Sequence, residues 1–260
     1  MDHQRKDKRI FEELIRFLDK KRTLTTSPGQ LVIETGKFFF GKPYGVGTLE
    51  TKGAERLVIN LREFDCFTFV ENVVTLVWCL KSQQKSFEAF RRRLKKIRYR
   101  DGRIQGYSSR LHYFSDWIYD NQKKATVRDV TAKMGGKPYR KTINYMTTHP
   151  DLYPLLKNEA NLRKMKSVER AISRRSPYYI PKKVLKTLED RIVDGDIIAI
   201  TTNTEGLDVQ HVGFATRVKN RTHLLHASSK DGKVTLSRQT LNRYLMQNKA
   251  RSGILVGRLV

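Results

Sequence analysis

The segment from residue 65 to residue 81 constrains the fold more than any other part of the sequence. A helix here would be apolar on nearly every side, and a helix without a polar face belongs in the core, packed against a sheet. Several short strands are expected after Asp194. The combination predicts an α+β fold in which a small antiparallel sheet packs on this helix. The apolar residues of the segment are Phe67, Phe69, Val70, Val73, Val74, Leu76 and Val77.

The remaining elements follow from hydrophobic periodicity and turn residues. A Ser cap followed by Pro at the first helical position marks a helix start at Ser27-Pro28. An apolar stripe formed by Ile10, Leu14, Phe17 and Leu18 predicts an earlier helix. The predicted helices cover 8–22, 28–40, 65–81 and 238–247, and the predicted strands cover 197–201, 211–218, 223–228 and 253–258.

Cys66 lies at the expected start of the apolar helix, after Asp65 and a strand-like segment at 57–59. The partial positive charge and unpaired N–H groups of a helix N-terminus stabilise a thiolate, so a lowered cysteine pKa is expected there. The same amides could hold an oxyanion. The alternative interpretation is a buried structural cysteine, because a free cysteine behaves as a small hydrophobe.

Two histidines on neighbouring predicted strands are the candidate partners of Cys66. Alternate strand residues share a face, so His211 lies with Gly213 and Ala215 on a face of small residues that leaves room for a partner. Either His223 or His226 could occupy that space. We favour His226, because His223 lies at the start of its strand beside a turn. Cysteine, strand histidine and polar residue on the next strand is the order of a papain-like site, although a strand histidine can also be purely structural.

Three motifs resemble those of the NlpC-type superfamily of bacterial cell-wall cysteine hydrolases. They are Asp65-Cys66 at a helix start, His211-Val212-Gly213 on one strand and His226-Ala227-Ser228 on the next. The turn at 194–198 is similar to the Gly-Asp turn before the first barrel strand of that superfamily. One departure is that Phe67-Thr68 follows the cysteine where the superfamily often has Ser-Gly. Phe67 would fill space at the cleft.

The resemblance narrows to one branch, and it covers roughly residues 10 to 258. That branch was long catalogued as a domain of unknown function and is associated with N-acetylmuramoyl-L-alanine amidase activity. The residues that carry it are the segments 56–61, 64–66, 109–113, 116–118 and 225–229.

The resemblance implies a papain-like hydrolase that forms a single domain over residues 1–260. A helical insertion at 101–190 would contribute to the substrate cleft. Cys66 would be the nucleophile, His211 the base and His226 the residue that orients the base. The bond cleaved would join L-alanine to N-acetylmuramic acid, with the 1,6-anhydro sugar as one candidate form. A stem-peptide endopeptidase with the same triad and a non-catalytic basic binding protein remain as alternatives.

Polar and aromatic residues that could recognise a muropeptide cluster in a short stretch after residue 109. A sugar ring stacks on an aromatic face, while hydroxyl and carboxylate groups bind Arg or Asp. Against this, the spacing of Leu111, Phe114 and Ile118 marks an amphipathic helix, in which Trp117 would simply be buried. The candidate substrate-binding residues are Arg110, His112, Tyr113 and Trp117, together with Tyr44 and Ser228.

The charge raises the question of an anionic partner. The chain has 52 Lys and Arg against 26 Asp and Glu, a net charge of +26, which suits nucleic acid, anionic lipid or an acidic polymer. No zinc-finger spacing, Gly-rich phosphate loop or RNA-binding signature is present, so specific nucleic-acid binding is not expected. The densest basic cluster lies at 91–100, where the spacing of apolar residues predicts an amphipathic helix. Its basic residues are therefore expected on the solvent-exposed face of that helix. Muropeptides carry free carboxylates and are the expected partners of a monomer.

The two cysteines and the termini limit other interpretations. Cys66 and Cys79 fall on one helix, about 20 Å apart if it is continuous, so a disulfide between them is excluded. No zinc-ligand spacing exists, and no metal or cofactor is expected. No run of 18 apolar residues predicts a transmembrane segment. Residues 1–8 lack the apolar stretch of a signal peptide, while the resemblance favours the periplasm or cell envelope and leaves the cytoplasm open.

Overall fold

The computed structural model describes residues 2–20, 27–51 and 53–260. In this part of the chain the α+β prediction is confirmed: helices pack against one antiparallel sheet. The first four helices are α1 (Asp2–Lys20), α2 (Pro28–Phe38), α3 (Cys66–Lys81) and α4 (Phe87–Arg98). The predicted start of α2 is confirmed, because the Ser27 Oγ accepts a hydrogen bond from the Gln30 amide at 3.2 Å. The last two positions of the helix predicted at 8–22 lie outside the described residues.

The middle of the chain combines short helices with short strands. Its elements are α5 (Phe114–Lys123), β1 (Val127–Asp129), β2 (Lys137–Pro138), α6 (Tyr145–Thr148), α7 (Glu159–Ser173), β3 (Tyr178–Pro181) and α8 (Leu185–Leu188). Sequence analysis expected only helices here. Strands β1 and β3 instead extend the sheet by pairing with its last strand, so this segment is anchored to the sheet as well as to the helical layer.

The C-terminal part supplies most of the sheet. Its elements are β4 (Ile197–Thr202), β5 (Val209–Val218), β6 (Arg221–Ser228), β7 (Lys233–Thr240), α9 (Leu241–Met246) and β8 (Arg251–Leu259). The strands run in the order β2-β3-β8-β4-β5-β6-β7, with β1 also on β8, and the pairings are antiparallel. Strand β7 was missed by sequence analysis, and residues 238–240, expected in a helix, are its last three positions. The alternation of Val234 and Leu236 with polar residues is the period-2 pattern that indicates this strand.

Two apolar clusters cover opposite faces of the sheet. On β5, Val212 and Phe214 join the cluster that contains most of the α3 side chains. Ala215, the next residue, joins a second cluster with Leu241 and Leu245 of α9. This alternation confirms the predicted side-chain parity of β5. The predicted packing of the residue 65–81 helix on the sheet is likewise confirmed by these contacts.

The strand expected at 57–59 is absent, and the prediction was wrong. The backbone carbonyls of this segment are bound by side chains from α4 and the residue after it, in place of a strand ladder. The Tyr99 hydroxyl donates to the Arg56 carbonyl at 2.9 Å, and Arg98 Nη1 donates to the Val58 carbonyl at 2.5 Å. The chain approaches Cys66 as an irregular segment, in which Phe64 forms a single bridge with Tyr44.

Among the described residues, no helix is both long enough and apolar enough to cross a membrane. The basic cluster at 91–100 lies largely on α4, whose apolar residues Phe90, Leu94 and Ile97 are buried while Arg92, Lys95 and Lys96 are exposed. The predicted solvated face is found for these three residues, but Arg93 and Arg98 of the same cluster are buried, and Arg98 pairs with Glu71 at 2.7 Å.

Candidate functional site

Asp65 fixes the place where α3 begins. Its carboxylate accepts a hydrogen bond from the Thr68 amide at 2.7 Å, and its own amide donates to the Thr68 hydroxyl at 3.0 Å. This reciprocal arrangement is a capping box in which a threonine takes the usual place of Glu or Gln. Cys66 is consequently the first residue of a helix whose start is held from both sides, and its thiol lies at the helix N-terminus as predicted.

The expected lowering of the Cys66 pKa does not occur. Burial raises the pKa of the thiol to about 12, and the adjacent Asp65 carboxylate raises it further. The backbone amides of Val212, Cys66 and Phe67 act in the opposite direction but do not outweigh burial. Desolvation penalises an anion in an apolar layer more than the helix terminus stabilises it. The thiol is therefore protonated at neutral pH, so it could act as a nucleophile only with the help of a base.

His211 and His226 form a close pair on β5 and β6. The Nε2 atom of His211 lies 2.6 Å from the Nδ1 atom of His226, and the rings are nearly perpendicular at 84°. His223, the rejected candidate, instead places Nδ1 2.9 Å from the Ser237 carbonyl of β7. The prediction that His226, and not His223, is the neighbour of His211 is thus confirmed.

Gly213 provides the space for this pair. A Cβ atom at this position would lie 2.9 Å from the His226 Cβ and 2.8 Å from the Leu225 carbonyl oxygen. Contacts that short do not occur between unstrained groups, so a side chain here would displace the histidine. The small-residue face noticed in the sequence therefore corresponds to a physical requirement for glycine.

Both histidines are held in the neutral form. Burial lowers the pKa of His211 well below its usual value, and His226 and Arg251 lower it further. Burial also lowers the pKa of His226 to about 4; Asp231 opposes this change and Arg251 adds to it. A neutral imidazole has one acceptor nitrogen. If Nε2 of His211 donates to His226, Nδ1 of His211 remains as a base.

A cleft of about 140 Å³ contains both Cys66 and His211. One wall comes from α3 and β5, and the opposite wall comes from the middle of the chain. The second wall includes the predicted residues His112 and Tyr113, and Met146 from the segment 144–146, a further candidate from the sequence. Tyr153 and, from the loop between β4 and β5, Leu207 also line the cleft, and the sequence did not indicate these two. Tyr113 is fixed there, because its hydroxyl donates to Glu169 of α7 at 2.7 Å and accepts from the Met146 amide at 2.9 Å.

Arg110 lines a second cavity, of about 140 Å³, which shares Phe67 and His112 with the cleft. Its guanidinium is buried and bound to two carboxylates, Glu50 at 2.7 Å and Glu55 at 3.4 Å. The positive charge of Arg110 is thus already compensated inside the protein. The shared residues separate the two cavities by a thin wall of side chains.

Trp117 and Ser228 do not reach the cleft. Trp117 has 0% exposure and packs against Phe114 at 5.0 Å between ring centroids, so it has no free face for a sugar. The amphipathic-helix alternative is the correct interpretation of this residue. The Ser228 hydroxyl is bound within a turn, where it donates to the Asp231 carboxylate at 2.7 Å. Both substrate-binding expectations are corrected by these positions.

Tyr44 is half-buried and close enough to interact electrostatically with Cys66. Burial raises the pKa of its hydroxyl, and electrostatic interaction with the Cys66 and Asp65 side chains raises it further. Tyr44 is therefore a neutral hydroxyl near the thiol. Two other residues near the histidines, Tyr244 and Arg251, had no recognisable motif in the sequence.

Comparison with protein families shows the family to which this chain belongs. The sequence profile of the AmiA-like family, described as N-acetylmuramoyl-L-alanine amidase-like, matches residues 34–254. The chain belongs to this family. Comparison with curated proteins finds no significant match.

Solved structures of similar proteins agree in fold. An N-acetylmuramoyl-L-alanine amidase from Bacteroides uniformis is 43% identical, with a TM-score of 0.85 over 90% of this chain and 99% of that chain. A Bacteroides fragilis protein with the provisional name xylanase is 45% identical, with a TM-score of 0.82 over 86% and 98%. A Legionella pneumophila protein at 22% identity, with a TM-score of 0.74 over 100% and 96%, shares the fold.

Proposed function

We propose that the protein is a cysteine-dependent amidase that cleaves the bond between N-acetylmuramic acid and L-alanine in peptidoglycan fragments. The observation that carries this proposal is the shared cleft of Cys66 and His211, with His211 paired to His226 at 2.6 Å. Membership of the amidase-like family supplies the substrate class. The same arrangement supports placement in the papain-like NlpC-type superfamily, with α3 as the nucleophile-bearing helix.

The geometry suggests how each group acts. His211 donates through Nε2 to His226 and accepts the thiol proton at Nδ1, so that Cys66 Sγ attacks the lactyl carbonyl of the sugar. The backbone N–H of Cys66 at the helix start stabilises the oxyanion. His211 then returns the proton to the departing L-alanine amine. Water, deprotonated by the same histidine, hydrolyses the thioester and frees the enzyme.

The raised thiol pKa and the lowered histidine pKa values define the resting state. Both groups are neutral at pH 7, so proton transfer accompanies attack rather than preceding it. This is general base catalysis on a neutral thiol, in contrast to a preformed thiolate and imidazolium pair.

We place the sugar and the first residues of the stem peptide along the wall formed by the middle of the chain. His112 and Tyr113 contact the substrate in this proposal, and Tyr44 donates a hydrogen bond from its neutral hydroxyl. Arg110 acts through His112 and Phe67, because its own charge is neutralised by Glu50 and Glu55. Residues 101–190 would then be the part of a single domain that sets sugar preference, the 1,6-anhydro form included.

The proposed substrate indicates in which part of the cell the enzyme would act. An enzyme of this kind would work on muropeptides in the periplasm or cell envelope, and a monomer could do so because the proposed triad lies within one chain. Sedimentation of the purified protein and fractionation of cells that express it test these two points.

Mass spectrometry of purified muropeptides after incubation with the protein tests the proposed reaction. Wild type should release an intact stem peptide that begins at L-alanine, and Cys66→Ala should not. Cys79→Ala is the matched control, since it removes the other cysteine of α3 from a fully buried site and should remain active.

Other products would overturn the proposal in informative ways. Shortened stem peptides would identify an endopeptidase with the same triad. Sugar products from xylan would support the name of the Bacteroides fragilis relative instead. Binding without any hydrolysis would leave a charge-driven, non-catalytic role.

A further inference from the structure

A tyrosine and an arginine form a unit behind the histidine pair. The Tyr244 ring of α9 lies 5.7 Å from the His226 ring, edge to face at 83°, and 6.2 Å from the His211 ring. The Arg251 guanidinium stacks on the same ring, 3.8 Å from its centroid. Arg251 Nη1 also donates to the Tyr244 carbonyl. The guanidinium thus clamps both the ring and the backbone of Tyr244.

Arg251 is held in place by its own backbone. It is the first residue of β8 and pairs with Thr202 of β4, and its amide donates to the Asn248 carbonyl at 3.2 Å. A cation that stacks on the face of an aromatic ring is attracted by the electron-rich face, and partial desolvation strengthens that attraction. Arg251 is therefore fixed relative to the sheet, and Tyr244 is fixed relative to Arg251.

Two buried nitrogen atoms beside this unit lack hydrogen-bond partners within the described part of the chain. They are Nε of Arg251 and Nε2 of His226. The first always carries a proton, and the second carries one when His226 accepts from His211. A single water oxygen accepts from more than one donor, so both atoms are of the type that an ordered water satisfies.

The charged groups around the histidine pair come from different elements. Arg251 approaches from β8, and Asp231 approaches from the turn between β6 and β7. Strand β7 places the uncharged Thr235 opposite His226. From α3 and α9 come the neutral thiol of Cys66 and the Tyr244 hydroxyl. One cation and one carboxylate therefore act on the pair: Arg251 on both histidines, and Asp231, in the opposite sense, on His226.

We propose that Arg251 is a positioning residue for the proposed reaction. It holds Tyr244 against the histidine pair, and it places a cation that opposes protonation of the pair. The Asp231 carboxylate has the opposite effect on His226. This inference rests on the proposed function. An imidazolium beside a fixed guanidinium is disfavoured by like-charge repulsion, which is stronger in a partly desolvated site than in water. The base is thereby kept ready at pH values below its ordinary range.

Two substitutions should act in opposite directions. In Arg251→Met the repulsion is lost, so the acidic limb of the kcat/KM profile should move up by about one pH unit, a tenfold loss of activity well below the limb. In Asp231→Asn, at an exposed position, the limb should move down. Arg251→Lys retains the charge and should restore the limb toward its wild-type position. Residues that only stabilise the fold would lower activity without moving the limb.

NMR titration of the histidine ring protons gives a readout that does not need catalysis. In the Cys66→Ala background, Arg251→Met should move the protonation of the His211 and His226 pair to higher pH, and Asp231→Asn should move it to lower pH. Near-UV circular dichroism verifies that each variant is folded. Unchanged titration in folded Arg251→Met, or a shift of the same sign in both variants, would overturn the inference.

The two readouts separate this inference from the proposed function. If muropeptides prove not to be substrates, the activity profile is lost but the NMR titration still decides whether Arg251 and Asp231 oppose one another. If muropeptides are cleaved and the titration does not move, the proposed function stands and the positioning role of Arg251 falls.

Discussion

The two cysteines of α3 both have a raised thiol pKa, yet only Cys66 is partly exposed and lies in a cleft beside a histidine. The pKa of each thiol is raised to about 12, in both cases mainly by burial. Cys66 shares a cleft with His211 and receives three backbone amides, whereas Cys79 is enclosed in the core near Arg93. The comparison teaches that the candidate nucleophile is distinguished by its base, not by an intrinsically acidic thiol.

Removing the base should erase the difference between the two cysteines. His211→Ala leaves Cys66 as a protonated thiol, so muropeptide turnover should fall by about 10²- to 10⁴-fold, the usual contribution of a positioned base. His223→Ala is the matched control, since its ring contacts the β7 backbone rather than the pair. Steady-state kinetics of both variants measure the effect. Near-normal activity in His211→Ala would show that Cys66 does not depend on this histidine.

Acid should destabilise the end of the molecule that holds the histidines. The His226 pKa falls from 6.5 to about 4 on folding, so the unfolded chain binds more protons between these values. Stability is therefore complete above about pH 6.5 and declines as the pH falls toward 4, by up to about 3 kcal/mol from this group. Urea titrations across this range measure the slope. His226→Gln should reduce the slope and leave the share that the lowered pKa of His211 contributes, whereas an unchanged slope would remove His226 from the explanation.

A methyl group beside His226 should disturb the Cys66 site and leave the Cys79 region intact. Gly213→Ala forces a contact of 2.9 Å with the His226 Cβ, and strain of this kind costs about 1 to 3 kcal/mol. Activity should fall together with stability, since relief of the clash moves the pair. Chemical denaturation and kinetics provide the two values. Gly257→Ala, where the nearest atom would be 3.6 Å away, is a control in the same sheet.

Loss of the cap at the start of α3 should have the smallest of these effects, and it tests whether the helix start orients the Cys66 thiol. Asp65→Ala removes the acceptor of the Thr68 amide, and cap losses cost about 1 kcal/mol. Ser86→Ala removes the equivalent bond to the Ala89 amide in α4 and should cost about the same. Activity should fall only in Asp65→Ala, because only that cap positions Cys66. Equal activities in the two variants would mean that the helix start does not orient the thiol.

The sequence was most informative where local rules and tertiary packing agree. The apolar pattern at 65–81 predicts a buried helix and Asp65 predicts its start. The period-2 alternation of β5 placed His211 beside Gly213 and directed His226 toward it. These features depend on the chemistry of neighbouring residues, so they could be derived without knowing the rest of the fold.

Other features depend on distant residues and could not be derived in this way. The segment 57–59 has strand-like residues, but Arg98 binds the Val58 carbonyl and Tyr99 binds the carbonyl of Arg56, just before the segment. Trp117 is an aromatic residue of the kind that can stack on a sugar, yet its position on α5 buries it in the core. The acidity expected for Cys66 failed because burial outweighs the helix terminus. Arg251 reaches the histidine pair only because β8 lies beside β4, which no local pattern predicts.

The most direct test of the central claim is a search for the covalent intermediate. Wild-type protein is mixed with muropeptide, quenched in acid at successive times, digested and mapped by mass spectrometry. The account predicts a muramoyl group in thioester linkage on the fragment that contains Cys66, with the free stem peptide in solution and Cys79 unmodified. An acyl group on another residue, or release of the same stem peptide by Cys66→Ala, would contradict it.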